Sequence, residues 1–152
     1  MRCNALIFLV VVQLSFQSCD SINKSSVFEV DNVAMGGYDP VAFVMDQEAL
    51  NGKQENKVNY LGVDYYFIRP SYRDEFLRNP DKYIPAYGGY CGYNVAINSK
   101  RVDPDPTLWI LQEGKLILFS DDEALNGKNK AAWVVKRHLM KQNADSNWAS
   151  MN

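Results

Sequence analysis

Short apolar segments on either side of polar or glycine turns predict two β-hairpins in the middle and later parts of the chain. Residues 57–68 are rich in β-branched and aromatic side chains on both sides of a turn at Gly62, which is typical of paired strands. Residues 107–119 repeat this arrangement around the turn Glu113-Gly114. We therefore expect each of the two segments to form an antiparallel hairpin.

Helical signals follow each hairpin. One helix is expected to begin with Ser71 as its cap and to end before Pro80. Another is expected over residues 121–125, with Ser120 as the first residue of a capping box. Helical spacing resumes over residues 131–141, and the tail beyond them is polar apart from one tryptophan. These elements predict an α+β fold, in which a small antiparallel sheet of two hairpins packs with a few short helices and a C-terminal helix.

The first residues have the three-part pattern of a secretory signal peptide. A positive charge at Arg2 precedes an unbroken apolar run over residues 5–12, and small and polar residues follow. We expect a signal peptide at residues 1–21, a polar lead-in at residues 22–34 and the domain at residues 35–150, in a secreted or periplasmic protein. The alternative is a buried N-terminal strand. No later stretch approaches the length that a bilayer requires, so no membrane span is expected in the mature chain.

Composition limits the classes of partner and the forces that hold the fold. The 152 residues, 47% of them hydrophobic, suit one domain with its own core. The net charge of -2 implies no overall basic surface and argues against a nucleic-acid partner. If Cys3 and Cys19 leave with the signal peptide, Cys91 is the one remaining thiol, and packing must hold the fold. If Cys19 stays, a Cys19–Cys91 disulfide is an open alternative.

The tract at residues 86–93 reads Ala-Tyr-Gly-Gly-Tyr-Cys-Gly-Tyr and is the main candidate for chemistry. Glycine lets a ligand approach the backbone, and tyrosine supplies apolar area with a hydroxyl. Cys91 is a candidate soft-metal ligand, with copper or zinc as the metals, or it borders a small-molecule site. The other interpretation is a buried cysteine that packs as a small apolar side chain. A small pocket is expected to be lined by Tyr87, Tyr90, Tyr93 and Trp109.

His138 is the only histidine and lies between basic residues in the predicted terminal helix. One interpretation is a solvated histidine near a helix end. The other is a metal ligand that joins Cys91 and a carboxylate, which requires the terminal helix to pack over the tract at residues 86–93. Since there is no second histidine, a closed zinc site is not expected.

Several tracts together resemble the YHS domain family, and in particular its secreted or periplasmic members. They cover roughly residues 35 to 150 and include Tyr38-Asp39-Pro40-Val41-Ala42, Tyr65-Tyr66-Phe67, Asn79-Pro80, Tyr87-Gly88-Gly89-Tyr90-Cys91 and the ending at residues 143–148. The resemblance implies a small α+β domain. Metal-transporter members of the family offer thiols at positions that match Ala42, Ile68 and Tyr72. None of these three can bind a soft metal, so that family site does not carry over.

Taken together, the sequence predicts a small exported binding protein that is not an enzyme. Its ligand, a soft metal ion or a small molecule, is expected beside Cys91. The first alternative is a structural or interaction domain in which Cys91 is buried or pairs two chains. The second is a cysteine-dependent enzyme, which would need a base or a cation beside the thiol, and the sequence offers only His138 for that role.

Overall fold

Within residues 26–120 and 128–152, which the computed structural model describes, the strands form two separate sheets. The strands of the larger sheet are β1 (Glu29–Val30), β2 (Val33–Ala34), β3 (Lys53–Tyr60) and β4 (Val63–Phe67). Their spatial order is β1-β2-β4-β3. The smaller sheet is a hairpin of β5 (Asp105–Gln112) and β6 (Lys115–Phe119). Both predicted hairpins are therefore confirmed, but they do not share one sheet.

Helices surround the two sheets and confirm the α+β class. The α-helices of the described ranges are α1 (Pro40–Met45), α2 (Pro70–Arg78), α3 (Pro80–Tyr83), α4 (Gly92–Asn98), α5 (Lys128–Val135) and α6 (Arg137–Met151). Two short 3-10 turns cover Met35–Gly37 and Ala86–Gly89. No helix in this part of the chain is long and apolar enough to cross a membrane.

Strand β6 divides the hydrophobic core into two clusters. Leu116 and Leu118 pack in one cluster with α1, α2 and the larger sheet, whereas Ile117 and Phe119 pack in the other with α4, α5 and α6. Successive side chains of a strand point to opposite faces, so a strand covered on both faces needs apolar residues at every position. That requirement explains the unbroken apolar run Leu116–Phe119, all of which is buried.

Residues before position 35 belong to the fold, which differs from the expected lead-in. Phe28 is 7% exposed and Ala34 is 1% exposed, and both contribute to the core. Val33 pairs with Asp64 in parallel, so the larger sheet is mixed rather than wholly antiparallel. The apolar positions in this segment are too few for a periodic pattern, and only their tertiary partners identify them as core.

Asp39 joins the start of α1 to the end of β4. Its carboxylate accepts hydrogen bonds from the backbone N–H groups of Val41 (2.8 Å), Ala42 (3.2 Å) and Ile68 (2.8 Å). The first two contacts make it the N-cap of α1, with Pro40 at the first helical position. The residue is fully buried. The Asp39-Pro40 pair is therefore a structural joint between a helix and a strand.

Three helix predictions need correction or lie outside the described residues. Helix α2 begins after Arg69, with Pro70 in its first turn, so Ser71 is not its cap. The predicted helix at residues 121–125 falls outside the described ranges. The terminal segment forms two helices that separate at Lys136, and α6 continues through the supposed tail. The tail is helical because its apolar residues follow helical spacing and pack against α4 and the core.

Candidate functional site

The glycine-tyrosine tract forms a tight loop against the first described residues. Tyr87 and Gly88 have positive φ angles of 55° and 61°. A Cβ atom on Gly88 would lie 1.9 Å from the carbonyl oxygen of Ser26. Glycine therefore allows this close approach, in which the N–H of Phe28 donates to the carbonyl of Gly88 at 2.8 Å.

Cys91 lies at the base of this loop and is completely buried, with 0% exposure. Its backbone N–H donates to the carbonyl of Val102 at 2.9 Å. The sulfur accepts hydrogen bonds from the Ser120 hydroxyl at 3.3 Å and from the Asn94 amide at 3.4 Å. The thiol is free in the described chain. It is therefore a core residue with polar neighbours.

The polar groups around the sulfur form a small buried network, here called the Asn94–Ser120–Asn129 cluster. The amide of Asn129 donates to the Ser120 hydroxyl at 2.8 Å, and the amide of Asn98 donates to the Asn94 oxygen at 2.9 Å. The side-chain oxygen of Asn129 is buried without a hydrogen-bond partner. All these groups are neutral amides or hydroxyls, which neither remove the thiol proton nor stabilise a thiolate by charge.

The structure places Cys91 and His138 in different environments. His138 is exposed to solvent near the start of α6, whereas the sulfur is sealed in the core. Helix α6 does pack over the tract at residues 86–93, as the metal hypothesis required, since Tyr87 bonds to Asp145 and its ring lies 6.3 Å from that of Trp148. Within residues 26–120 and 128–152, however, no group of three or more His, Cys, Asp or Glu side chains could hold a metal ion. The described residues therefore give the Cys91–His138 metal site no support.

Three of the four predicted pocket aromatics lie together and the fourth does not. Tyr87 and Tyr90 are buried in the cluster that contains Cys91, and Tyr93 packs against the same cluster. Trp109 belongs to the other cluster, with its ring centroid 5.3 Å from that of Phe43. It pairs with Leu118 across the hairpin, on the face of β6 that is turned away from Cys91. Because successive side chains of a strand point to opposite faces, Trp109 is separated from the tyrosines.

A cavity of about 360 Å³ opens beside Tyr87, between the glycine-tyrosine loop and α6. We call it the Tyr87 cavity, and its lining consists of Ala86, Tyr87, Lys115, Ile117, Lys141, Asp145, Trp148 and Ala149. The rings of Tyr87 and Trp148 meet edge to face, with centroids 6.3 Å apart. The volume of the Tyr87 cavity lies near the lower end of the range for small-molecule sites, about 300–1,000 Å³. Tyr93 lines a different cavity, against α5 and α6.

The polar groups of the Tyr87 cavity are already ordered by one another. The Tyr87 hydroxyl donates to Asp145 at 2.9 Å, and the Lys141 ammonium donates to the other oxygen of the same carboxylate at 2.7 Å. Burial is the largest cause of the raised pKa of the Tyr87 hydroxyl, and the hydrogen bond to Asp145 is the second. The bond to Asp145 raises the pKa of Lys141. At neutral pH the cavity therefore presents a neutral hydroxyl and a fixed cation.

Residues on α6 and β6 complete the cavity, and the sequence interpretation missed them. Lys141, Asp145 and Trp148 follow one another at intervals of four and three, so they share one face of α6. That spacing was available in the sequence, but the many polar residues after position 141 suggested a tail. Lys115 comes from β6 and also donates to the carbonyl of Asp81. Its position at the cavity follows only from how the hairpin packs against α6.

Comparisons with protein-family models, with curated proteins and with solved structures gave no match. The resemblance to the YHS family therefore stays a prediction, and the functional argument depends on the residues of this chain.

Proposed function

We propose that this chain is a small exported binding protein whose ligand occupies the Tyr87 cavity. The ligand would be a small organic molecule with an apolar or aromatic part and an anionic group. The observation that carries the proposal is the aromatic wall of Tyr87 and Trp148 beside two lysines, Lys115 and Lys141. The pattern of residues 1–21 supports export. The sequence analysis expects a ligand beside Cys91, and the proposed site is the cavity that adjoins the same glycine-tyrosine loop.

The chemistry of the lining favours an anionic ligand over a metal ion. An aromatic wall provides contact area, and a lysine ammonium provides a point charge for a carboxylate, sulfonate or phosphate. Lys141 shares its charge with Asp145, whereas the Lys115 side chain is exposed at the rim. The lining thus has two cations and one carboxylate, and Glu113 lies outside the lining with its carboxylate 3.8 Å from the Lys141 ammonium. Copper and zinc prefer thiolate and imidazole, which this lining lacks.

Binding rather than catalysis fits the state of the polar groups. Tyr87, Asp145 and Lys141 hydrogen bond to one another, and the raised pKa of Tyr87 keeps its hydroxyl protonated. A nucleophile or general base needs a group that can take up or release a proton near neutral pH. We therefore infer that the protein is not an enzyme.

The proposal is tested by filling the cavity. Ala149 lies on the cavity wall and is exposed, so Ala149→Trp should occupy the space without disturbing the core. Anilinonaphthalene sulfonate, a fluorescent aromatic anion, serves as the probe. We expect Ala149→Trp to weaken its binding by at least about tenfold. Ser150→Trp places the same ring on the next residue of α6, outside the cavity lining, and should leave the affinity unchanged.

The anionic part of the proposal has its own variant. Lys115→Gln should weaken probe binding about fivefold, which is the effect of losing one exposed cation worth roughly 1 kcal/mol. Equal affinity in the native protein and in Ala149→Trp would exclude the cavity as the binding site. If Ala149→Trp loses affinity and Lys115→Gln does not, the cavity is the binding site but Lys115 does not recognise an anionic group on the ligand.

The second candidate function is a structural or interaction domain without a small ligand. It is favoured by the complete burial of Cys91 within the core. A mass measurement under non-reducing conditions tests the form in which Cys91 pairs two chains. The separate hypothesis that Cys91 binds copper or zinc is tested by metal analysis of the native protein and of Cys91→Ser. Equal metal content in the two proteins would show that Cys91 is not a ligand.

A further inference from the structure

The corner between α5 and α6 exposes three apolar side chains to solvent. We define this α5–α6 corner as residues 134–139. Val134 is 39% exposed, Val135 is 81% exposed and Leu139 is 52% exposed. Large apolar residues scattered singly on a surface are ordinary, but three within six residues at one bend form a patch. The high exposure of Val135 means that the patch protrudes from the surface.

Cations surround this patch, although the whole chain has a net charge of -2. Residues 128–141 contain no acidic residue, and their cations are Lys128, Lys130, Lys136, Arg137 and Lys141. Lys141 pairs with Asp145 and Glu113. Among residues 26–120 and 128–152, none of the other four forms a salt bridge. Residues 128–141 are therefore positively charged, although the rest of the chain is negatively charged overall.

A shallow cavity of about 420 Å³ lies beside the corner. Tyr93, Ala131, Ala132 and Met140 give it an apolar floor, and Lys128, Val135 and Lys136 complete its lining. Lysine stems can cover apolar surface while their ammonium groups stay in water. An apolar surface edged by lysines can rest on a membrane interface, where apolar side chains reach the acyl boundary and ammonium groups meet the headgroups.

We propose that the α5–α6 corner docks on an anionic lipid surface. Val135 and Leu139 would enter the boundary between headgroups and acyl chains, and Lys128, Lys136 and Arg137 would meet the lipid phosphates. An acidic protein partner fits less well, because the exposed tip and the cavity floor offer hydrocarbon rather than hydrogen-bonding groups. Charge complementarity and a protruding apolar tip are the two features that a bilayer interface requires. This proposal does not depend on the Tyr87 cavity.

Vesicle co-sedimentation of the full chain tests the proposal. One set of vesicles contains phosphatidylcholine alone, and the other contains phosphatidylcholine and phosphatidylglycerol in equal amounts. The neutral set measures any binding by the apolar run at residues 5–12, which is independent of lipid charge. We expect stronger binding to the anionic set, with release as sodium chloride is raised.

Matched variants assign the binding to the corner. Lys136→Gln/Arg137→Gln should weaken binding to anionic vesicles about thirty-fold, because each cation near such a surface contributes about 1 kcal/mol. Lys53→Gln/Arg78→Gln removes the same charge from β3 and α2 and should change binding by less than about threefold. Val135→Ser/Leu139→Ser should also weaken binding, while circular dichroism confirms that all variants remain folded.

Two outcomes would overturn the proposal. Equal losses in the two charge variants would mean that net charge alone attracts the protein. Tight binding to polyglutamate in the absence of lipid, unchanged in Val135→Ser/Leu139→Ser, would mean that the corner recognises an acidic protein.

Discussion

Replacement of Asp39 tests whether the joint between α1 and β4 stabilises the domain. Asp39→Ala removes the acceptor of three backbone N–H groups. Loss of a helix N-cap costs about 1 kcal/mol, and leaving the partly buried N–H of Ile68 without an acceptor costs about 1–3 kcal/mol. We therefore expect the free energy of unfolding to fall by about 2–4 kcal/mol, as measured by urea denaturation followed by tryptophan fluorescence.

The control for this experiment is Asp74→Ala. Asp74 lies on α2, and its side chain is 49% exposed and bonds only to the neighbouring Arg73. Its removal should change the free energy of unfolding by less than about 0.5 kcal/mol. Equal effects of Asp39→Ala and Asp74→Ala would refute the role of Asp39 as a joint. An altered slope against urea would instead indicate a change in the unfolded or native state.

The pH dependence of the free energy of unfolding, compared between the native protein and Asp39→Asn, gives a second measure. Burial raises the pKa of Asp39 above its ordinary value and the negative charge of nearby Asp46 adds to the rise, whereas the three backbone hydrogen bonds oppose it without reversing it. The folded state therefore holds this proton more tightly than the unfolded state does. Its contribution is fully present below the unfolded pKa of about 4 and is lost as pH rises through the folded pKa. Asp39→Asn lacks this contribution, so its deficit should be larger at about pH 4 than at about pH 7, and the reverse order would contradict the argument.

Three further predictions concern the loop and its cysteine. Cys91 should react with a thiol reagent at least about a hundredfold more slowly in the native than in the unfolded protein, because reaction requires opening of the core; equal rates would contradict its burial. Gly92→Ala should cost about 1–3 kcal/mol in urea denaturation, since its Cβ would lie 2.7 Å from the Ile117 side chain; Gly114→Ala, which meets no neighbour, should cost about 1 kcal/mol from its positive φ alone. Tyr87→Phe should lower the free energy of unfolding by about 1 kcal/mol through the lost bond to Asp145. The raised Tyr87 pKa means that the native protein should lose stability above about pH 10, and Tyr87→Phe should lose less.

Burial of Cys91 changes what the glycine-tyrosine tract is taken to do. The sequence allows either a thiol that meets a ligand or a buried cysteine that packs as a small apolar side chain, and the structure shows the buried form, with Tyr87 lining a cavity nearby. The same glycines account for both results. Gly88 lets the loop fold tightly on Ser26, and Gly92 lets α4 begin against β6. The function we propose therefore moves from the sulfur to the aromatic ring four residues earlier.

Elements with local signals could be predicted from the order of residues alone. The hairpin at residues 57–68 could be predicted because alternation and a glycine turn act between neighbours in the chain. The helix ending before Pro80 could be predicted because proline restricts the residue before it. The α+β class follows from these elements together, and the structure confirms it.

Which faces of these elements pack together became known from the folded chain. It separated Trp109 from the three tyrosines by placing them on opposite sides of β6, brought Lys115 beside α6, and buried Cys91. It also showed that the residues after position 141, which look like a polar tail, belong to helix α6 and line the Tyr87 cavity. The physical reason is that local pattern fixes the conformation of a segment, whereas burial depends on contacts between residues far apart in sequence. In the Tyr87 cavity, Tyr87 and Asp145 are 58 positions apart and yet share a hydrogen bond.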